Sequence, residues 1–409
     1  MAAYKGREYL KNYLALKRCR VLLRYKYYEM KNGIKYFRTI IPSEFMWTAE
    51  TLGWCGKAVD ALADRLSFRE FKHDDFDLNS IFAMNNGDIL PDSAMLSALI
   101  SSCCFVYISE DLDGYPRLQV IDGGNGTGVM DPITGLLTEG YAVISRDKNG
   151  NVDMDAYFVA GRTEFYQGNR LVRVDKNQAP SPLLVPIIYR PDAMRPFGHS
   201  RISRSCMNLM QGALRTLLRS EVSAEFYSFP QKYVVGLSES AEEMETWKAT
   251  ISSFLRFDQD ENGKSPQLGQ FTQQSMSPYT EQIRTFAALF AGETGLTLDD
   301  LGFVTDNPSS AEAIKASHEN LRLLARKAQK TFGSGLLNVG YLAACVRDNY
   351  AYKRQQLYLT KPAWEPVFEP DAAMLSGIGD GIGKINQAVP GYFGKTNLRN
   401  MTGVVPKLS

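Results

Sequence analysis

Several stretches carry residue types that could do chemistry, and their spacing argues against each. Pro390 to Thr396 reads PGYFGKT and ends, at Gly394-Lys395-Thr396, like a nucleotide phosphate loop. Only two residues separate Gly391 from Gly394 where such a loop needs four, so its backbone N–H groups cannot wrap phosphates, and no strand pattern precedes it. The run GGNGTG from Gly123 to Gly128 misses the dinucleotide fingerprint, because Val129 stands where the last glycine is needed and no helix pattern follows; a loop is expected. Asp147 to Asp155, DKNGNVDMD, has the alternating oxygens of a calcium loop. Its glycine comes fourth instead of sixth, and Phe158 occupies the twelfth place where a bidentate Glu belongs, so a hairpin turn fits better.

Nucleophiles and metal ligands are equally dispersed. The cysteines at 19, 55, 103, 104, 206 and 345 form no CxxC pair, and His73, His199 and His318 lie at no zinc-site spacing. Cys103-Cys104 precede a strand and are expected in the core. There is no G-x-S-x-G elbow. Asp299-Asp300 could hold Mg²⁺ for a nuclease, but no further carboxylates are spaced to join them. No catalytic residue, cofactor or metal is therefore expected.

Elements must position whatever these residues do. The chain has 409 residues, 44% hydrophobic and 22% charged, which excludes a disordered or fibrous protein and suffices for two or three domains. Its formal charge of +1 leaves electrostatic function to local patches. Residues 1–38 are the strongest patch, with a balance of +9 interleaved with seven tyrosines. Two readings follow: an arm that touches nucleic acid or an acidic neighbour, or a helix with a solvated basic face over Leu10, Leu14, the Lys17 stem and Val21. The most apolar stretch, Leu96 to Ile108, is 13 residues long and broken by three serines, too short to cross a bilayer. Together with the cysteine usage this predicts a soluble intracellular protein without membrane contact.

Periodicity divides the rest. A helix is expected near Ala49 to Leu66. From Cys104 the period falls to two, and CFVYI, RLQVI, YAVIS, MDAYFV and RLVRV are separated by Asp113-Gly114, Thr134-Gly135, Asn149-Gly150 and Gly168-Asn169, predicting an antiparallel meander. Prolines 180, 182, 186, 191 and 196 predict a stiff extended exit and a boundary near 197. Residues 201–227 predict a helix of roughly 40 Å, with Ile202, Cys206, Leu209, Ala213, Leu217 and Ala224 on an apolar stripe and Arg201, Arg204, Gln211, Arg215 and Arg219 on a polar one. Between 231 and 276 come a strand-like QKYVVGL, an acidic helix near 239–255 and a Gln-rich segment; residues 239–263 are net negative by five. A helix opens at Ser277-Pro278 and runs to Gly292 and Gly295. Ser309 and Glu312 make a capping box before a long helix whose stripe includes Leu321, Leu324, Ala328, Phe332, Leu336, Val339, Ala343 and Val346 and whose outer face is basic. The last forty residues hold a Gly-rich GIGDGIG and a helix-like KINQAV.

By composition and spacing this is an α+β protein. In order and wording, several segments resemble the portal proteins of tailed bacteriophages with long non-contractile tails, from about residue 45 to about 403. The residues that carry the resemblance are Val59-Asp60-Ala61 with Ala63-Asp64-Arg65-Leu66; the stretch from Asn85 to Ile108 with Asp113-Gly114; Phe197-Gly198-His199-Ser200-Arg201-Ile202; Phe229-Pro230-Gln231-Lys232-Tyr233 with Gly236; and Leu301-Gly302 followed by Asn307-Pro308-Ser309-Ser310-Ala311-Glu312-Ala313-Ile314.

The resemblance implies a portal fold with an α/β wing, a two-helix stem, a small α/β clip and a long wing helix, assembling as a ring, usually of twelve subunits. Residues 1–197 would be the wing, 198–228 the first stem helix, 229–276 the clip, 277–295 the second stem helix, 296–310 a tunnel loop, 311–370 the long helix and wing return, and 371–409 a short C-terminal region in place of a full crown. Such a ring sits at a capsid vertex, passes double-stranded DNA in packaging and ejection, and meets a terminase large subunit, a head-tail adaptor, and major capsid and scaffold proteins; it is assembled in the host cytoplasm. Channel-facing candidates are Asp299, Asp300, Thr305, Asp306, Asn307, Ser309 and Ser310. From 280 to 312 six acids face one base, Arg284, and an acidic lining lets DNA slide. Arg322, Arg326 and Lys330 are candidates for a subunit interface or a DNA-facing surface. The different-class alternatives are a DNA-binding capsid or adaptor protein acting through the basic N-terminal segment, and a nuclease holding metal at Asp299 and Asp300.

Overall fold

Where apolar residues of the basic N-terminus fall at helical spacing, the chain forms α1 (Arg7–Tyr28), with Leu10, Leu14, Val21 and Tyr27 buried and most of the charge outside. The coordinates are a computed structural model, and the structure describes residues 4–35, 51–228, 232–235, 267–270, 275–303, 316–368 and 372–404. The chain divides into one unit of residues 1–32, 53–207 and 292–409, and a second of residues 33–52 and 208–291.

In the first unit, α2 (Trp54–Ala63) is shorter than the helix expected over 49–66. It is followed by β1 (Phe68–Lys72), α3 (Leu78–Ala83) and α4 (Ile89–Ser101). Seven strands come next: β2 (Cys103–Glu110), β3 (Pro116–Ile121), β4 (Gly126–Met130), β5 (Leu137–Arg146), β6 (Val152–Val159), β7 (Arg162–Gln167) and β8 (Arg170–Lys176). An eighth, β9 (Leu184–Ile188), stands where a stiff exit was expected. The meander is real for β4-β5-β6-β7-β8, while β9 returns to pair antiparallel with β2 in a second sheet of order β3-β2-β9. Pro186 is tolerated because β9 is an edge strand, where a missing N–H breaks no ladder bond. The turns at Gly114, Gly135, Gly150 and Gly168 all have left-handed φ, between +61° and +81°, as their sequences required.

The glycine run expected as a loop is in part a strand. Gly126 pairs with Ala142, and a Cβ on Gly126 would lie 2.5 Å from the Phe105 ring. The close approach of the Phe105 ring accounts for glycine there. The hairpin reading of DKNGNVDMD holds: Asp147 Oδ1 accepts from the backbone N–H of Asn149 (2.9 Å) and Asn151 (2.8 Å) in the β5–β6 turn.

In the second unit, α5 (Arg204–Ser228) begins in the first unit and continues beyond its boundary, and β10 (Lys232–Val235) pairs antiparallel with β11 (Gln267–Gln270). The acidic helix expected near 239–255 lies outside the described residues. The helix α6 (Ser277–Thr294) opens where its Ser-Pro start predicted. It packs antiparallel to α5: Thr216 Oγ1 donates to Gln282 Oε1 at 3.1 Å, and the Ser223 and Tyr279 hydroxyls meet at 2.9 Å. The expected stripe is right at Ile202, Cys206 and Ala213 and one position off at Leu209 and Leu217. Leu209 and Leu217 are half-buried, Ala224 is exposed, and the buried residues are Cys206, Met210, Ala213, Leu214 and Leu218. Two members of the expected polar stripe, Arg201 and Gln211, are also buried, because each is bonded to backbone.

Back in the first unit, α7 (Glu319–Arg347) is amphipathic only in its first half. From Gly335 to Val346 every residue is buried. Glycines let neighbours close on it from several directions, since a Cβ would meet Pro362 at Gly333 (2.6 Å), Ile187 at Gly335 (2.8 Å) and Leu78 at Gly340 (2.9 Å). The strand β12 (Lys361–Trp364) returns to pair with β1. Finally α8 (Ala372–Ala388) contains GIGDGIG and all of KINQAV but its final Val389, and α9 (Lys395–Thr402) is the last element of the described chain.

Candidate channel, subunit-contact and anchoring residues

Beyond α6, Gly295 at φ +70° turns the backbone out of the helix. Asp299 and Asp300 then stand in one short 3₁₀ turn. Asp300 Oδ2 accepts from the Thr297 N–H (2.9 Å) and hydroxyl (3.0 Å), and lies 3.8 Å from His318 Nδ1. Asp299 is exposed. The Asp300 carboxylate is engaged in fixing the turn, and among the described residues no group of three or more metal-ligating side chains exists. Thr305, Asp306, Asn307, Ser309 and Ser310, and the capping box at Ser309, lie outside the described residues.

On α7, Arg322 is folded back on its own helix: Nε and Nη2 donate to the Glu319 carboxylate at 2.6 and 2.5 Å. Hydrogen bonding to Glu319 raises the Arg322 pKa. Arg326 and Lys330 are exposed. Lys330 also borders a cleft of about 520 Å³ with Thr331, Ser334 and Pro132. The three cations share one helix but not one state, which spacing alone did not reveal.

The segment Gly198 to Ile202 anchors the entry to α5. Gly198 has φ +72°, and a Cβ there would lie 2.1 Å from the Tyr189 carbonyl oxygen. Ser200 Oγ donates to the Ile100 carbonyl at 2.6 Å and accepts from the Ile202 N–H at 3.0 Å. Arg201 is 6% exposed; its Nε donates to the Ala58 carbonyl at 3.1 Å and its Nη2 to the carbonyl of Thr294, the last residue of α6. A cation at a helix C-terminus is favoured by the helix dipole. Position 201 carried no sign of burial in the sequence, because its partners are carbonyls distant along the chain.

Two buried acids fasten α1 to the five-stranded sheet. Glu139 accepts from the N–H groups of Lys5 (2.8 Å) and Gly6 (3.0 Å) and from the Tyr157 hydroxyl (2.8 Å), so it serves as a carboxylate cap on the helix start. Asp155 takes a forked pair from Arg7, Nε at 2.9 Å and Nη2 at 2.8 Å, and the Tyr141 hydroxyl at 3.0 Å. Burial opposes the charge on Arg7, but bonding and attraction to Asp155 outweigh it and raise its pKa. Burial, with the neighbouring carboxylates, also pushes up the phenols of Tyr141 and Tyr157. Leu10 and Leu14 pack beneath on Tyr141, Val143, Tyr157 and Val159. The N-terminal segment is a docked helix, as the packing reading expected. The two acids that hold it were missed; a lone Glu or Asp at an inward strand position was the available signal.

The remaining sequence candidates are structural. Cys55, Cys103, Cys104, Cys206 and Cys345 are buried and free. The PGYFGKT stretch follows helix α8 and leads into α9, with Gly394 preceding the first helical residue. Among the described residues, no helix is long and apolar enough to cross a membrane.

No family model matches the chain. Two structures of particle necks align with it: the neck of a native GTA particle computed with C12 symmetry (13% identity, 86% of this chain, 90% of that chain, TM-score 0.45) and the neck of an empty GTA particle computed with C6 symmetry (12% identity, the same coverages, TM-score 0.47). In sequence, the portal protein of Mycobacterium phage D29 is 24% identical over 330 residues and that of Mycobacterium phage L5 24% identical over 331, each match spanning 75% of this chain and 67% of the relative. By that similarity along three quarters of its length, the chain is a homologue of bacteriophage portal proteins.

Proposed function

We propose that the chain forms the portal ring at one capsid vertex, through which double-stranded DNA is packaged and ejected, and which serves as the platform for a terminase large subunit and a head-tail adaptor. The observation that carries this reading is the 330-residue match to a mycobacteriophage portal protein. The order of elements supports it: a sheet-rich unit, α5, the β10–β11 pair, α6 and the long α7. On this reading residues 1–197 and 311–370 are wing, 198–228 and 277–295 stem, 229–276 clip, 296–310 the tunnel loop and 371–409 a short C-terminal region. The ring is a passive virion component assembled in the host cytoplasm with major capsid and scaffold proteins, and it needs no catalytic residue, cofactor or metal; the packaging ATPase is a separate protein.

A closed ring requires each subunit to present different, complementary patches to its two neighbours. The net-negative 239–263 segment and the basic outer side of α7 provide opposite charges on one chain. Light scattering with end-on negative-stain images tests the reading. A particle near twelve times 45.8 kDa with a central hole is expected, whereas a stable dimer without a hole would overturn it.

A further inference from the structure

We propose that Lys17, Arg20, Arg24 and Arg195 form a row that binds the phosphate backbone of duplex DNA on the surface of α1. The first three lie at i, i+3 and i+7, on one flank of the helix beside its buried stripe. The fourth comes from the turn after β9, where Arg195 Nη1 lies 3.4 Å from His199 Nδ1 and the other ring nitrogen of His199 meets Asp192 at 2.6 Å. The two elements are close: Lys17 Nζ stands 3.8 Å over the Tyr13 ring and 5.2 Å from that of Phe197. Burial, and repulsion from Arg195 and Arg20, lower the Arg24 pKa, so these cations feel one another. Among the described residues, no carboxylate lies within ion-pair distance of any of the four side chains. Arg24 only donates to the Ser101 carbonyl at 3.3 Å. A polyanion would relieve that uncompensated charge.

Shape favours a nucleic-acid backbone. Lys17 and Arg24 are about 10 Å apart along the helix axis, beyond the reach of a single phosphate but within that of successive phosphates on one strand. A protein interface seats its anchors in desolvated pockets, whereas Arg20 and Arg195 are exposed and the row is charged along its length, with Tyr13 beneath Lys17. The exposed leucines of α1, Leu16, Leu22 and Leu23, provide the contrast. The inference rests on α1 and its neighbouring turn alone, and holds whether or not the chain closes into a ring.

The test is fluorescence anisotropy of a labelled 30-base-pair duplex with the full chain at 50 and 200 mM salt. Four phosphate contacts predict that affinity falls roughly 100-fold between these conditions. The variant Lys17→Ala/Arg20→Ala/Arg195→Ala should bind at least ten times more weakly at 50 mM and lose most of the salt dependence. Two controls, Lys148→Ala/Lys176→Ala and Leu16→Ser/Leu23→Ser, should bind as the parent does. Circular dichroism checks that each variant folds, and Arg20→Ala alone, an exposed change, should still weaken binding severalfold. Undiminished binding by the triple and single variants, an equal loss in the lysine control, or a loss confined to the leucine variant would each overturn the proposal.

Discussion

The guanidinium of Arg201 donates to the main-chain carbonyl of Thr294, joining the segment that leads into α5 to the last residue of α6. A second donation, to the Ala58 carbonyl at the middle of α2, makes this buried cation a three-way tie. Removing it takes one donor from each carbonyl and leaves a cavity behind. Arg201→Ala should therefore destabilise the chain by about 2–4 kcal/mol. Arg201→Lys keeps the charge but not the fork, and should fall between. Urea unfolding at constant slope checks both, and a wild-type midpoint for Arg201→Ala would show that the tie contributes nothing.

Gly198 and Gly150 separate backbone strain from crowding. Both have left-handed φ, +72° and +81°, but a Cβ at 150 meets open space while one at 198 would run into the Tyr189 carbonyl. Gly150→Ala should cost about 1 kcal/mol. Gly198→Ala should cost several times more and displace the entry to α5, because the clash is with backbone and no flexible side chain can give way. Paired thermal melts decide it; equal shifts would contradict the packing argument.

The clamp on α1 predicts a local effect. Glu139→Gln retains size but weakens the acceptance of two helix-start N–H groups, and Asp155→Asn removes the charge facing Arg7. Hydrogen exchange along α1 should speed at least tenfold in the double variant while β2 and β9 stay protected. Uniform exchange across both regions would mean that α1 is not a separable layer.

These ties explain how far the sequence could be read. Helices with one apolar side, such as α1 and α6, and strands bounded by Asn-Gly or Asp-Gly turns were legible because their signals are local. The β1–β12 pair was not, since Phe68 and Trp364 are far apart in the chain and neither strand exceeds five residues. The second half of α7 misled for another reason: it is buried all round, so no polar face marks its orientation. Of the candidate site, Asp299 and Asp300 were found by type, but the Thr297 contacts that engage Asp300 depend on turn geometry.

The cysteines predict both reactivity and pH dependence. Burial pushes the thiols of Cys103 and Cys345 up to about 11 and raises that of Cys55 as well, while Cys19 is exposed. At pH 8 a thiol reagent should label Cys19 quickly and the others only after unfolding. An acid whose folded pKa is raised stabilises the fold fully below its unfolded value near 9, and that contribution is lost as pH rises through the folded value. Stability should thus decline between pH 9 and 11. Serine at 103 and 345 should flatten part of the decline, provided each variant still folds.

Finally, the state of each cation on α7 ranks its value for assembly. Arg322 is already neutralised by Glu319 on its own helix, whereas Arg326 and Lys330 point charge into solvent. If neighbouring subunits pair basic and acidic surfaces, reversing the free charges should matter more than reversing the engaged one. Arg326→Glu/Lys330→Glu is expected to shift sedimentation from ring to small species at moderate salt. Arg322→Glu should act chiefly by repelling Glu319, lowering thermal stability slightly while rings persist. Raising salt should weaken parent rings in the same direction, because solvent-facing charges are screened over about 10 Å at 0.1 M. Rings that form equally well from the double variant, at every salt concentration, would remove α7 from the subunit contact and leave its basic face without an assembly role.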